Sequence, residues 1–297
     1  MRFRKPVSLL VLVIIALSAV AAGYGLLSTG GPGPHEFTTV FGQTVTLHGQ
    51  GLYRNDSVSA AAQARSQDVV TLALAIPLLA FALALARRGS LKGRLLLAGT
   101  LGYFLYSYLS LAFLATYNPL FLVYTAAFAA SLGAFILTLL DIDAQELAAR
   151  VSGRLPVRFI GGFQLFLGCA LLIMWLGRII PPLLTGGVPT GLDHYTTLVI
   201  QALDLGIMVP LAIISGILIL RRDAYGYLLS AVTIIKGVTM LTAISAMIIG
   251  QLRVGDQVPP AVIAVFALAN LIAVYCMVTM LRCISDREPR TAKEAIS

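Results

Sequence analysis

The sequence predicts an all-α integral membrane protein of about eight membrane-crossing helices with a small extracytoplasmic β-hairpin lid. Three observations carry this. Hydrophobic residues make up 58% of the chain and charged residues 11%, against about 45–50% and about 25% in soluble domains, and the mean hydropathy is +0.90. Apolar runs of about 18 residues or more recur along the chain, each long enough to cross a bilayer. One polar stretch, 29–68, interrupts them and carries strand and turn signals. The whole chain, 1–297, forms a single polytopic domain. Its net charge of +8 does not point to nucleic acid, because Lys and Arg in such proteins gather on the cytoplasmic side and set orientation.

Taken in order, Arg2, Arg4 and Lys5 precede an apolar run. Residues Ser18 to Ala22 are small, as at a signal-peptidase site. The length of the run and the many spans behind it favour a retained first helix, 7–28. In the lid, Gly30-Gly31-Pro32-Gly33-Pro34 breaks the helix. FTTVF and TVTLH then flank Gly42-Gln43, which reads as a type II′ hairpin turn. A second turn falls at Gly49-Gln50-Gly51, and Asp56 or Ser57 is placed to cap a helix starting at Val58.

The remaining spans are expected at 69–86, 95–116, 119–140, 158–180, 196–220, 226–250 and 261–282. Alternate connections are rich in basic residues: Arg87, Arg88, Lys92 and Arg94, then Arg150, Arg154 and Arg158, then Arg221 and Arg222. Arg282, Arg287, Arg290 and Lys293 follow the last span. This asymmetry places both termini in the cytoplasm and the lid outside. Between the fourth and fifth spans, Asp143 and Glu146 form a capping-box pattern, and Gly153 and Pro156 end a short surface helix.

Two stretches resemble each other. QDVVTLALAIPLLAFALALARRGSLKGRLLLAG and QALDLGIMVPLAIISGILILRRDAYGYLLSAV each begin with Gln and Asp and carry a mid-span proline, Pro77 or Pro210. Each then reaches an Arg-Arg pair, 87–88 or 221–222, before a short turn. This predicts two parallel four-helix halves, an arrangement found in some transporters.

The candidate site lies in the sixth and seventh spans. His194, Gln201, Asp204 and Met208 share one helical face, and Ser230, Thr233, Lys236 and Met240 form a second stripe. Asn270 sits in the last span, and Tyr103, Ser107 and Ser110 line the third. Asp68 begins the span that the repeat matches with that of Asp204. Charges at such depth are costly and mark function unless they merely pair. At 1.5 Å per residue, Asp204 lies roughly 12 Å and Lys236 roughly 20 Å below the outer surface, an offset of about 8 Å. Three arrangements are open: an ion pair that pins the two helices, a wet cavity with a titratable relay, or two charges that never meet. The substrate- or ion-binding candidates are thus Asp204, Lys236, Gln201, Asn270, His194, Asp68 and Tyr103.

Other chemistry finds less support. Lys236 invites a retinal-type Schiff base with Asp204 as counter-ion, but no aromatic sandwich accompanies it. Trp175 and Arg178 read as interface anchors. His35, His48 and His194, with Glu36 and Asp193, match no metal-ligand spacing. Cys169, Cys276 and Cys283 lie in or just inside the helices, so no disulfide is expected. No nucleophile elbow, zincin helix, P-loop or dinucleotide fingerprint occurs. No cofactor, metal or catalytic residue is therefore assigned.

GLYRNDSVSAAAQARSQDVVTL, YNPLFLVY, HYTTLVIQALDLG and the stretch around Lys236 resemble a group of multi-pass membrane proteins of bacteria and archaea that has no assigned activity. The resemblance covers most of the chain. It implies a prokaryotic membrane setting and supplies no chemistry. Three functions fit: transport of a small solute or ion, an intramembrane lipid-modifying enzyme with Asp204 and Lys236 as its acid–base pair, or a non-catalytic sensor or partner subunit. Transport is the leading expectation, and the lipid bilayer is the one partner that composition implies.

Overall fold

The computed structural model describes residues 1–286. Eight helices are long and apolar enough to cross a membrane. They are α1 (Arg4–Leu27), α2 (Val58–Arg87), α3 (Leu91–Leu114), α4 (Phe121–Leu139), α6 (Val157–Thr185), α7 (Val199–Leu220), α8 (Ala224–Arg253) and α9 (Pro260–Cys283). The short α5 (Ala144–Ala149) lies between α4 and α6. The expected spans are all present. As expected, the helix that starts at Val58 runs without a break into the second span as α2.

Local chemistry explains the helix starts. The Ser57 hydroxyl accepts the Ala60 N–H at 3.1 Å and opens α2. The Ser90 hydroxyl accepts the Gly93 N–H at 2.9 Å, and the Asp223 carboxylate accepts the Tyr225 N–H at 2.8 Å. Each satisfies an amide that a helix leaves without an internal partner. Asp143 caps α5 through Gln145 and Glu146. Glu146 does not complete the box; it pairs with Arg150 one turn later.

The lid is one antiparallel pair, β1 (His35–Thr38) and β2 (Thr44–Leu47). The connection is not the two-residue type II′ turn expected at Gly42-Gln43. The Thr39 N–H donates to the Gln43 carbonyl at 2.8 Å, and the Gly42 N–H donates to the Thr39 carbonyl at 2.9 Å. Gly42 therefore closes a three-residue loop at φ +75°, the left-handed position of a turn that ends in a bulge. The Thr39 hydroxyl accepts from Phe41 and Gln43 and stabilises this longer loop.

His48 at the end of the lid has a buried Nε2 without a partner. Burial first, and the Arg65 charge second, push its pKa below the usual 6.5. A depressed histidine pKa disfavours the charged form in the folded state. Its stabilisation is therefore present above pH 6.5 and is lost as pH falls through the folded pKa. Backbone amides of the lid are expected to lose hydrogen-exchange protection between neutral and mildly acid pH. In His48→Gln that acid-dependent component should be missing; a profile unchanged by the substitution would contradict this.

The core is centred on α3, where Leu95, Leu97, Leu101, Tyr103 and Phe104 are fully buried. It packs on α2, α4 and α8. The two halves are built alike. Each has a π turn in its second spanning helix, Thr71–Ala75 in α2 and Asp204–Met208 in α7. In each, an N–H bonds the carbonyl five residues back: Ile76 to Thr71, and Val209 to Asp204. Pro77 and Pro210 follow directly. Proline lacks an N–H and clashes with the carbonyl four residues back, and a π turn widens the helix at that point.

One constant spacing then carries every later device from one half to the other. Gly89 and Arg222 both take positive φ, and Ser90 and Asp223 are the caps that follow. Gly93 and Gly226 let the next helix approach the last one closely. A Cβ at Gly93 would lie 2.6 Å from the Ala86 nitrogen, and one at Gly226 would lie 2.5 Å from the Ile219 nitrogen. This register corrects the alignment drawn from sequence. The Arg-Arg pairs are offset by one, so Arg88 matches Arg221. Asp68 matches Gln201, Thr71 matches Asp204, and Tyr103 matches Lys236.

The halves differ in closure. In the first, α1 packs along both α2 and α4. In the second, α6 packs on α7, and α8 packs on α7 and α9. Among the described residues no comparable packing joins α6 to α9; they meet through Phe159 and Tyr275, whose ring centres are 5.6 Å apart.

Candidate ion and solute site

The π turn of α7 presents Asp204 about 8 Å from the helix end nearest the lid. Its carboxylate accepts two hydrogen bonds. The Tyr106 hydroxyl donates to Oδ1 at 2.6 Å from α3, and the Trp175 indole donates to Oδ2 at 2.9 Å from α6. Three helices thus converge on one carboxylate. Trp175 is therefore not the interface anchor expected from sequence. Arg178, one turn on, lies 5.7 Å from the Trp175 ring centre and donates through Nε to the Thr190 carbonyl at 2.7 Å.

Lys236 enters from α8 and is 8% exposed. It does not pair with Asp204: among the described residues no salt bridge joins them. Its Nζ sits over the Tyr106 ring, 4.0 Å from the centroid, and donates to Met208 Sδ at 3.3 Å. Tyr106 therefore separates the two charges, its hydroxyl toward the carboxylate and its ring face toward the amine. Cation–π attraction and a thioether are weak partners for a group with three donors. No oxygen acceptor faces Lys236 among the described residues.

The other expected site residues fall into different places. Gln201 is buried one turn from Asp204 toward the lid. Asn270 does not join the cluster; its amide donates to Thr242 at 3.2 Å, nearer the lid end of α8 than Lys236. Its Oδ1 is buried and unpartnered.

His194 also leaves the cluster, because α7 starts only at Val199 and the residue lies in the preceding loop. Its Nδ1 accepts the Ser57 N–H at 3.2 Å, so Nε2 carries the proton toward Asp56 at 3.1 Å. Asp56 also accepts from Thr116 at 3.1 Å, and Ser57 donates to Asp193 at 2.7 Å. This ties the lid to the connections before α4 and α7.

Asp68 and Tyr103 meet in a separate cavity inside the first half. The Tyr53 hydroxyl donates to Asp68 Oδ2 at 2.7 Å, and Tyr103 and Thr71 share a hydrogen bond of 3.0 Å. Burial first, and the Asp68 charge second, raise the pKa of Tyr53, so it stays a donor. Gly25 of α1 allows this approach; a Cβ there would overlap Asp68 Oδ2.

Tyr106 and Trp175 are the partners that sequence reading missed. Tyr106 lies one helical turn from Tyr103, and Trp175 is the single tryptophan, but neither feature alone names a carboxylate on another helix. Among the described residues no three of His, Cys, Asp and Glu gather as a metal centre. Comparison with protein-family models, curated proteins and solved structures finds no match.

Proposed function

We propose that this chain transports a small solute or ion, with Asp204 and Lys236 as the two charged walls of its binding site. One observation carries the reading. Lys236 is buried in the middle of a membrane-length helix, and among the described residues no oxygen accepts a hydrogen bond from it. A buried charge is normally paired, and an ionisable group at that depth marks function by default. An occupant bearing an anionic or carbonyl oxygen would complete the shell of the amine. Asp204, already held by two neutral donors, would meet a positive or hydrogen-bonding group on the same solute. The π turn beside Asp204 fits this reading, since such turns are frequent at functional sites. The matched halves support it as well.

The basic residues near the α2–α3 and α7–α8 turns support a plasma-membrane orientation with both termini in the cytoplasm and the lid outside. A second reading, an intramembrane lipid-modifying enzyme, is favoured by the unpacked face between α6 and α9, which would give a lipid sideways access to Asp204.

Reconstituted protein tests both. Liposomes carrying a pH-sensitive dye are exposed to gradients of anionic and zwitterionic solutes. Transport predicts solute-dependent flux that is lost in Lys236→Met. Chemical change in bilayer lipids without flux would replace transport by the enzyme. Wild-type and Lys236→Met liposomes that behave alike in both assays would remove both readings.

A further inference from the structure

The cavity around Asp68 is not used by the Asp204–Lys236 site and has its own chemistry. Its volume is about 10 Å³, close to the minimum that holds one water-sized occupant. Seven of its lining side chains bear oxygen: Tyr53, Gln67, Asp68, Thr71, Tyr103, Ser107 and Tyr108. Among the described residues no Lys, Arg or His lines it. Arg65, nearest along α2, directs its guanidinium to the Leu26 carbonyl at 3.3 Å. Asp68 is 8% exposed, and its one hydrogen-bond donor is Tyr53. A carboxyl so placed either takes up a proton or gains a positive charge inside the cavity.

We propose that this cavity binds one dehydrated monovalent alkali cation of sodium size, ligated by Asp68 and the hydroxyl oxygens around it. The ligand chemistry is that of a hard cation: oxygen donors, with no imidazole, amine or sulfur group in the lining. A single carboxylate matches a single positive charge. The Tyr53 and Tyr103 hydroxyls keep lone pairs after making their hydrogen bonds.

The matched register of the two halves strengthens this. The position that corresponds to Tyr103 is Lys236. The second half therefore carries a cation on that side chain, whereas in the first half the cation that acts on Asp68, Arg65, lies outside the cavity lining and bonds the Leu26 carbonyl. Gly25 and Tyr53 fix the carboxylate from the α1 side, so the site is assembled before any ion arrives. The proposal stands independently of transport at Asp204 and Lys236.

The test is thermal unfolding of the full chain in detergent, in sodium chloride against N-methylglucamine chloride at equal ionic strength. Binding to the folded state alone raises Tm with ligand concentration. A saturable rise with sodium is expected, smaller with potassium. Asp68→Asn should lose it, and Asp204→Asn should keep it. Tyr53→Phe should shift the midpoint several-fold toward higher sodium. Should Asp68→Asn fail to fold, Tyr53→Phe and equilibrium binding of radioactive sodium to the wild type still decide. Equal melting of the wild type in the two salts, with no bound sodium, would overturn the proposal and leave Asp68 as a protonated acid. A sodium effect that persists in Asp68→Asn would overturn it too.

Discussion

Lys236→Met is expected to make the detergent-solubilised protein more stable by about 1–4 kcal/mol, the range seen when buried ionic groups give way to well-packed apolar ones. Solute flux should disappear in the same variant. The physical reason is the poverty of the amine's surroundings: one aromatic face and one sulfur. Methionine has nearly the reach of lysine and would pack against Met208 and the Tyr106 ring without a desolvation cost. Stability gained where function is lost marks a group kept at a cost to the fold. Chemical or thermal unfolding in detergent gives the first quantity and liposome flux the second. If Lys236→Met instead destabilises by several kcal/mol, and adding Asp204→Asn restores the loss, the two charges interact as structural glue. The functional reading of Lys236 would then lose its support.

The second large effect concerns the donors that hold Asp204. Tyr106→Phe and Trp175→Phe together should cost about 2–4 kcal/mol, because a part-buried carboxylate would keep no donor among the described side chains. Each single change should cost about 1–2 kcal/mol. Tyr106→Phe keeps the ring under Lys236, so its loss isolates the hydroxyl. The informative background is Asp204→Leu, in which the two donors no longer face a charge. There the double substitution should cost much less, and the difference is the coupling energy of the cradle. Equal costs in both backgrounds would show that the two aromatics act through packing alone.

Much of the architecture was legible in the chain. The spans follow from hydropathy and length. The Ser57 and Asp143 caps follow from the chemistry of neighbouring residues. Pro77 and Pro210 rightly marked the matched stretches, because a missing amide acts locally on its own helix. The Arg-Arg pairs do not keep that register: they are one residue out of step with the prolines. The structural anchor is the left-handed residue before each cap, which is glycine in one half and Arg222 in the other, so composition hid the match.

The sequence by itself determined the membrane class, the spans, the lid and the presence of two deep charges in α7 and α8. Only the tertiary structure decided which groups those charges meet. Successive residues turn by about 100° around a helix axis, so a small rotation or shift of α6 or α3 decides whether Trp175 and Tyr106 face lipid or Asp204. In a mostly apolar helix, little in the hydrophobic pattern fixes that rotation; packing against neighbouring helices does. That packing put a tyrosine ring between Asp204 and Lys236, sent His194 to Asp56 and Asn270 to Thr242, and closed Asp68 into a cavity of its own.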